Sequence, residues 1–298
     1  MYSVAQPGQN ASENATEGRS HEIALHCGRA DRNGHNWKSN CPICGKHSLS
    51  VSPQLRTLVY CHYCRDTGLN DGHTEQREYL ASAGLIDPDE VAPKWDREAE
   101  ERRNVKRRAE ARALWDHPWF QTITPECSAA TYLRARGLEA FIGHPALRQC
   151  GSMLFARVWH VQHGLSAVQK TLLTWEGTDR DRSEHRITVG VLKGGGVWIG
   201  APKPDEWCVI AEGLETMLSA LLLFEQRCGV AVLGSHFKDL VLPSSTRKIL
   251  VAVDNDETGR ETSSYAIKSW RSAGLTVRSA MPNKEGEDFN DVLRNGGV

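Results

Sequence analysis

VIAEGLETMLSA (Val209–Ala220) and VAVDNDETGR (Val251–Arg260) are two stretches in which a short apolar run ends abruptly on carboxylates. The runs Trp207 to Ala211, Gly229 to Leu233 and Ile249 to Val253 are continuous rather than alternating, as expected of strands covered on both faces of a parallel sheet. After the first, Leu214, Met217, Leu218, Leu221 and Leu222 recur at helical spacing, which gives one face of a helix an apolar stripe. After the third, Thr262, Ala266, Trp270 and Ala273 space a second helix, and Leu275 to Ala280 supplies a fourth strand. This alternation predicts an α/β unit with right-handed crossovers.

In such a unit the strands put their carboxyl ends on one edge, where open α/β sheets bind ligands. Glu212 follows the first strand, and Asp254 and Asp256 follow the third. Gly213 and Gly259 beside them leave the backbone free to turn sharply. Clustered hard oxygens suit Mg²⁺ or Mn²⁺, ions that keep several waters and accept phosphate oxygens. That chemistry serves nucleotidyl transfer or phosphodiester cleavage. A further set, Asp288, Asn290 and Asp291 in GEDFNDVL, follows the fourth strand and is within reach of the same edge. Any one of these acids alone reads as a helix N-cap; their joint placement favours metal binding.

Working upstream, MLFARVWHV, SAVQKTLLTW, RITVGVL and GGGVWIG, between Met153 and Gly200, read as antiparallel strands. Trp115 to about Arg148 is expected to be helical, with TYLRARGL (Thr131–Leu138) ending at a capping glycine. Pro88 and Pro93 precede a charged run, Lys94 to Arg112, that suits a solvated connector helix. Its mild excess of Arg and Lys also permits contact with a phosphate backbone. At the start, Met1 to about Ser20 has too few large apolar side chains to offset the entropy of ordering it, and is expected to be a disordered tail.

Between tail and connector, Cys41-Pro-Ile-Cys44-Gly and Cys61-His-Tyr-Cys64 form C-x2-C-x16-C-x2-C. Each pair can set two thiolates on one tight knuckle, and two knuckles complete a tetrahedron for structural Zn²⁺. A pair of redox CxxC motifs is the alternative, and Cys27 or His35 is close enough in sequence to replace one ligand. Lys38, Lys46, His47, Arg56, Tyr60, His62, Tyr63 and Arg65 interleave basic and aromatic groups around the knuckles. Such a surface stacks bases and holds the phosphates of a single strand, although a solvated ribbon face explains the same mixture. Of these, Tyr63 and Arg65 are the nucleic-acid-binding candidates.

Composition bounds the reading from outside. The formal net charge of −1 argues against coating nucleic acid by bulk electrostatics, so any such binding needs local patches. No apolar stretch approaches the roughly 20 residues of a membrane span, and the N-terminus is polar where a secretory signal would be apolar. Nine cysteines, four of them in two close pairs, fit a metal site in a reducing cytoplasm better than a disulfide framework. No G-x-x-x-x-G-K-[ST] phosphate loop is present, so no ATP-driven unwinding is expected.

VIAEGLETMLSA, VAVDNDETG and EDFNDVL, in that order, resemble the signature of the Toprim domain shared by bacterial primases, topoisomerases and some nucleases. CPICG and CHYC resemble the zinc ribbon at the N-terminus of bacterial DnaG-type and phage primases. The middle, YLRARGL with MLFARVWHVQHGLSAVQKTLL and LKGGGVWIG, resembles the N-terminal half of the core in phage and plasmid primases. Together these segments reach from about residue 25 to residue 298. The resemblance implies an α+β multi-domain chain: residues 1–20 a tail, 21–85 a zinc ribbon, 86–114 a charged helical linker, 115–205 the N-terminal subdomain of a primase core with mixed α/β structure, and 206–298 a mainly parallel Toprim domain.

By the same resemblance, Glu212, Asp254 and Asp256 bind catalytic Mg²⁺ or Mn²⁺, and Asp288, with Asn290, assists. Basic residues of the middle region then face template and nucleotide, with Lys170 the first candidate and Arg157, Arg186 and Lys193 the next. The implied activity is a DNA primase, a DNA-directed RNA polymerase making short RNA primers on single-stranded DNA from ribonucleoside triphosphates. A replicative helicase is the implied partner, and no membrane is. A Toprim nuclease and a non-catalytic zinc protein that binds DNA or a helicase are the alternatives.

Overall fold

The apolar runs that end on carboxylates lie side by side in the computed structural model, which describes residues 9–33, 36–52, 59–87, 97–183, 186–234 and 236–296. His35, Arg56, Pro88, Pro93 and Lys94 of the sequence reading lie outside the described residues, as do residues 1–8 of the expected tail. The chain divides into two compact units, Met1–Asp96 and Arg97–Val298.

In the first unit, helix α1 (Gln9–His26) precedes a four-stranded antiparallel sheet of β1 (Asp31–Asn33), β2 (Asn36–Ser39), β3 (Leu49–Val51) and β4 (Val59–Cys61), in that spatial order. Short helices α2 (His62–Asp66) and α3 (Thr74–Ser82) follow. The part of the expected tail from Gln9 onward is thus helical. Its anchor is C-terminal to the polar residues that suggested disorder: Ile23 and Ala24 are buried with Leu49, Val51, Val59, Leu80 and the cysteines, and Ser39 Oγ donates to Ala24 O at 2.6 Å.

The second unit begins with α4 (Arg97–Trp115), the charged helix. It is not a free connector. Ala111 and Trp115 are buried against Phe155, Leu165 and Val168, and the Arg112 guanidinium donates to the carbonyls of His163 and Leu165. Arg108 is buried as well and pairs with Glu101, while most of the other charges of the helix are exposed. The sheet beneath it is antiparallel and contains β5 (Gln121–Thr122), β6 (Leu147–Cys150), β7 (Met153–His160), β8 (Gly164–Leu172) and β9 (Ile187–Gly190), neighbours in that order. Only α5 (Ser128–Ala135) and a 3-10 turn at Glu139–Phe141 realise the helix expected over Trp115 to Arg148. Pro118, Pro125 and Pro145 remove backbone donors that a continuous helix needs. The capping glycine is as expected: Gly137 has φ +70°, and Leu138 N–H reaches back to Leu133 O at 2.7 Å.

The next strand, β10 (Val197–Ile199), leaves the first sheet for the second. There it runs antiparallel to β12 (Cys228–Ala231), at the edge of an otherwise parallel sheet with β11 (Trp207–Ala211), β13 (Lys248–Ala252) and β14 (Thr276–Ala280). The spatial order is β10-β12-β11-β13-β14. Helices α6 (Leu214–Leu223), α7 (Glu257–Ser272) and α8 (Phe289–Arg294) complete the unit. Strand alternation sorts the β11 side chains between two cores. Val209 and Ala211 pack with Met217 and Leu218 of α6 and with Leu154, Ala156 and Val158 of β7, whereas Cys208 and Ile210 pack with Ala266 and Trp270 of α7. One face of the parallel sheet is thereby fused to the antiparallel sheet, and this contact sets the edge of β11 and β13 against β8 and β9. Among the described residues no helix is long and apolar enough to cross a membrane.

Gly190 marks where α4 crosses the sheet. Its φ is +112°, and a Cβ there would meet Ser166 O and stand 2.9 Å from Ala111 Cβ. Gly190→Ala is expected to cost about 2–4 kcal/mol and to lower the melting temperature by roughly 5–15 °C. An unchanged thermal melt would contradict this account of how α4 is seated.

Candidate functional site

Each acid of the parallel sheet is set by the end of a strand and the start of a helix. Glu212 directly follows β11, and Gly213 is the N-cap of α6. Asp254 follows β13 by two residues, in a loop held by Asn255, whose side chain donates to Pro282 O and accepts from Arg260. Asp256 is the N-cap of α7 and accepts from Gly259 N–H at 2.6 Å. Gly259 is needed for space rather than for an unusual turn: a Cβ would stand 2.6 Å from Asp254 O. Asp288 caps α8 in a reciprocal capping box with Asp291. The N-cap reading of Asp256 and Asp288 is therefore correct as far as it goes, and the acids still share one electrostatic neighbourhood.

Glu212, Asp254, Asp288 and Asp291 line a single cleft of about 540 Å³. Burial pushes the Asp254 carboxyl up to about 7, and the charges of Asp288, Glu212 and Asp256 push the same way, against a hydrogen bond from Thr216. Burial, with Asp256 adding to it, raises Glu212; burial also raises Asp288. Asp254 Oδ1 is buried without a hydrogen-bond partner. Half-buried carboxylates that repel one another, one with an orphaned oxygen, are a donor set suited to a hard divalent cation. Asp256 is exposed and is absent from the cleft lining, although its charge reaches both Glu212 and Asp254. Among the described residues, only the cysteines form a set of three or more His, Cys, Asp or Glu groups with all ligand atoms within 4.8 Å. The carboxylates thus share a cleft but are spread within it.

The rest of the lining is basic and polar. Arg136 from the end of α5, Arg180, Arg182 and Arg186 from the β8–β9 connection, and Gln169 and Thr188 from the strands themselves complete it. Sequence reasoning found Arg186 and missed the others. The signal for Gln169 was the pleat: it is paired with Thr188, and both line the cleft. Lys170, one residue on, belongs to the opposite face of β8, opposite Phe155 and Ile187. The expectation that Lys170 faces nucleotide is corrected by that one-residue alternation. Arg157 likewise lies on the far face of β7, stacks on Trp159 with 5.4 Å to the ring centroid, and lines a separate cleft of about 550 Å³ with His144 and Trp198. Lys193 is exposed in the glycine-rich turn before β10, in the field of Asp239 and outside the acidic cleft. Asn290 is only 1 % exposed, and its amide donates to Arg136 O and Ser219 Oγ. It braces α8 instead of joining the acids.

In the first unit, Sγ of Cys41 is 3.7 Å from that of Cys64, and Sγ of Cys44 is 3.7 Å from that of Cys61. A tetrahedron with Zn–S bonds of about 2.3 Å demands sulfur separations of about 3.8 Å, so the set fits zinc. Gly45, at φ +73°, closes the first knuckle. Cys64 N–H and Ser48 Oγ approach Cys61 Sγ, and Gln76 Nε2 approaches Cys41 Sγ; such contacts steady thiolate ligands. Cys27 remains outside the set. Nearby, Arg65 lies over the ring of Tyr60 and Lys46 over that of Tyr63, at 5.2 and 5.5 Å.

Residues 207–298 match the family model described as the Toprim domain. This segment is a Toprim domain. Of its acids, Glu212, Glu215, Asp254, Asp288 and Asp291 line the cleft. The chain is also similar to the zinc-binding and RNA polymerase domains of the Aquifex aeolicus primase, at 16% identity over 96% of this chain and 82% of that one, with a TM-score of 0.37. It is similar to the primase fragment of the bacteriophage T7 primase-helicase protein, at 16% identity over 88% and 95%, TM-score 0.37. It is similar to the E. coli primase catalytic core, at 13% identity over 67% and 70%, TM-score 0.37. No curated protein matches the chain.

The raised Asp254 carboxyl has a consequence for folding. An unfolded aspartate ionises near pH 4, while the folded one holds its proton to about pH 7, so the folded state binds more protons across that window and stability falls as pH rises through it. Asp254→Asn is expected to flatten this dependence and to raise the melting temperature by a few degrees at pH 8, with little change at pH 4. Thermal melts without added divalent ions check it; parallel pH curves for the two proteins would contradict it.

Proposed function

We propose that this chain is a DNA primase that joins ribonucleoside triphosphates into short RNA primers on single-stranded DNA. The observation that carries the reading is one cleft holding both the Toprim acids and four arginines, Arg136, Arg180, Arg182 and Arg186. A triphosphate needs cationic partners for its oxygens, and nucleotidyl transfer also needs a place for divalent metal. This cleft offers the two within one span, open to solvent.

Glu212, Asp254 and Asp288, with Asp256 nearby, would hold Mg²⁺ or Mn²⁺. When bound, such ions lower the pKa of the attacking hydroxyl and neutralise charge on the leaving pyrophosphate. In the reaction, the 3′-oxygen of one nucleotide bonds to the α-phosphorus of the next, the bond to the β-phosphate breaks, and the hydroxyl proton is lost to solvent. The arginines bind and orient the phosphates, while Gln169 and Thr188 supply neutral donors and acceptors beside them. No side-chain nucleophile is required, because positioning and charge neutralisation lower the barrier. Cys41, Cys44, Cys61 and Cys64 would hold a structural Zn²⁺, and Tyr63 and Arg65 on the same unit offer stacking and phosphate contacts to a template. With a formal net charge of −1, template binding is expected to be weak and salt-sensitive, which a replicative helicase as partner would offset.

Priming assays on single-stranded templates with each metal test this reading. Wild type is expected to extend nucleotides, and Asp254→Ala to lose at least about 10³-fold of that activity while keeping its fold and one zinc per chain. Cleavage of the template without nucleotide-dependent extension would favour a Toprim nuclease, and undiminished priming by Asp254→Ala would overturn the site.

A further inference from the structure

Glu215 is the most deeply buried acid of the cleft, and nothing in the proposed metal-dependent reaction uses it. It sits in the first turn of α6, three residues after Glu212. Its Oε1 accepts from Tyr132 Oη at 2.6 Å and from Arg186 Nη2 at 2.5 Å. Burial works to raise this carboxyl, but Arg186 and the Tyr132 hydroxyl outweigh it and hold the group below the usual carboxylate range. Glu215 is thus an anion kept charged inside the protein, and a charge so placed is costly unless fully partnered.

The three partners come from three separate elements. Tyr132 belongs to α5, Arg186 to the connection before β9, and Glu215 to α6 of the Toprim domain. A second layer ties the same elements together. Ser219 Oγ donates to Glu215 O, Asn290 bridges Ser219 and Arg136, and Arg136 stacks on the Tyr132 ring and pairs with Asp179. Arg186 also lines the cleft, and its Nε is buried with no hydrogen-bond partner.

A guanidinium offers five donors in a rigid fork. One nitrogen of this fork, Nη2, is held by a buried carboxylate, which orients the remainder within the cleft it shares with Asp254 and Glu212. A lysine at the same place would satisfy the charge of Glu215 and present nothing in a set direction.

Resting on the primase reading above, we infer that Glu215 is a positioning residue that holds the Arg186 guanidinium against a phosphate group of the incoming nucleoside triphosphate. Glu215 does not itself touch nucleotide or metal, and binding of metal alone does not depend on it. Arg186 contributes a charge-assisted contact that exists only with the triphosphate present.

Equilibrium binding of ATP with Mg²⁺ tests this separately from catalysis, with Mn²⁺ binding in the absence of nucleotide as control. Glu215→Gln is expected to weaken ATP binding about 10- to 100-fold and to leave Mn²⁺ affinity unchanged. Arg186→Lys is expected to keep the wild-type melting temperature and show the same ATP defect. Added guanidinium is expected to restore ATP binding to Arg186→Ala when Glu215 is present and not in the Glu215→Gln/Arg186→Ala double variant. Should Glu215→Gln not fold, Glu215→Asp, which withdraws the carboxylate by one methylene and keeps its charge, carries the same expectation. Wild-type ATP affinity in Arg186→Lys, or guanidinium rescue that ignores Glu215, would overturn the inference. A wild-type protein that binds ATP in this way yet extends no primer would refute the primase reading and leave the role of Glu215 standing.

Discussion

Repulsion among carboxylates at the end of a buried sheet is the constraint on which the second unit is organised. Asp254 lies where its charge is opposed both by burial and by Glu212, Asp256 and Asp288. Left to itself such a group would turn to solvent or draw its loop outward. It is held by elements that do not yield: β11 and β13 are paired along their whole length inside two apolar cores, and Gly259 packs its backbone against Asp254 O. The sheet thus fixes unfavourable charge in place, a condition that a divalent cation relieves.

The opposite charge in the cleft is supplied by different means. Arginines beside such acids would collapse onto them if nothing restrained them, since oppositely charged groups a few ångströms apart attract strongly at low effective dielectric. Glu215 and Asp179 act against that collapse by pairing Arg186 and Arg136 away from Asp254 and Glu212. The fused face between β7 and α6 carries these two sets of groups in one compact unit, which keeps acid and base within one cleft.

Much of this was readable from residues alone. Continuous apolar runs gave three of the four parallel strands to within a residue or two, because strands covered on both faces tolerate no polar interruption. The two cysteine pairs announced their own geometry. What failed to show was anything decided by a partner element. The fate of α4 depended on Ala111 and Trp115 meeting Phe155, Leu165 and Val168 of two later strands, and nothing in its charged run betrayed that. Lys170 was named as a basic candidate, whereas the pleat and the pairing with Thr188 bring its neighbour Gln169 to the cleft. Arg136 and Glu215 were invisible for a related reason. Each reads as an ordinary helix residue until the fold brings Tyr132, Arg186 and Asn290 around it.

Asp254 and its neighbours repel one another in a half-buried cleft, a set of charges that a bound divalent ion would relieve. Electron paramagnetic resonance of Mn²⁺ titrated into the protein, without nucleotide or DNA, measures this directly. Saturable Mn²⁺ binding is expected of wild type and of Lys170→Ala, and its loss in Asp254→Ala. Equal binding by wild type and Asp254→Ala, or none by either, would contradict it.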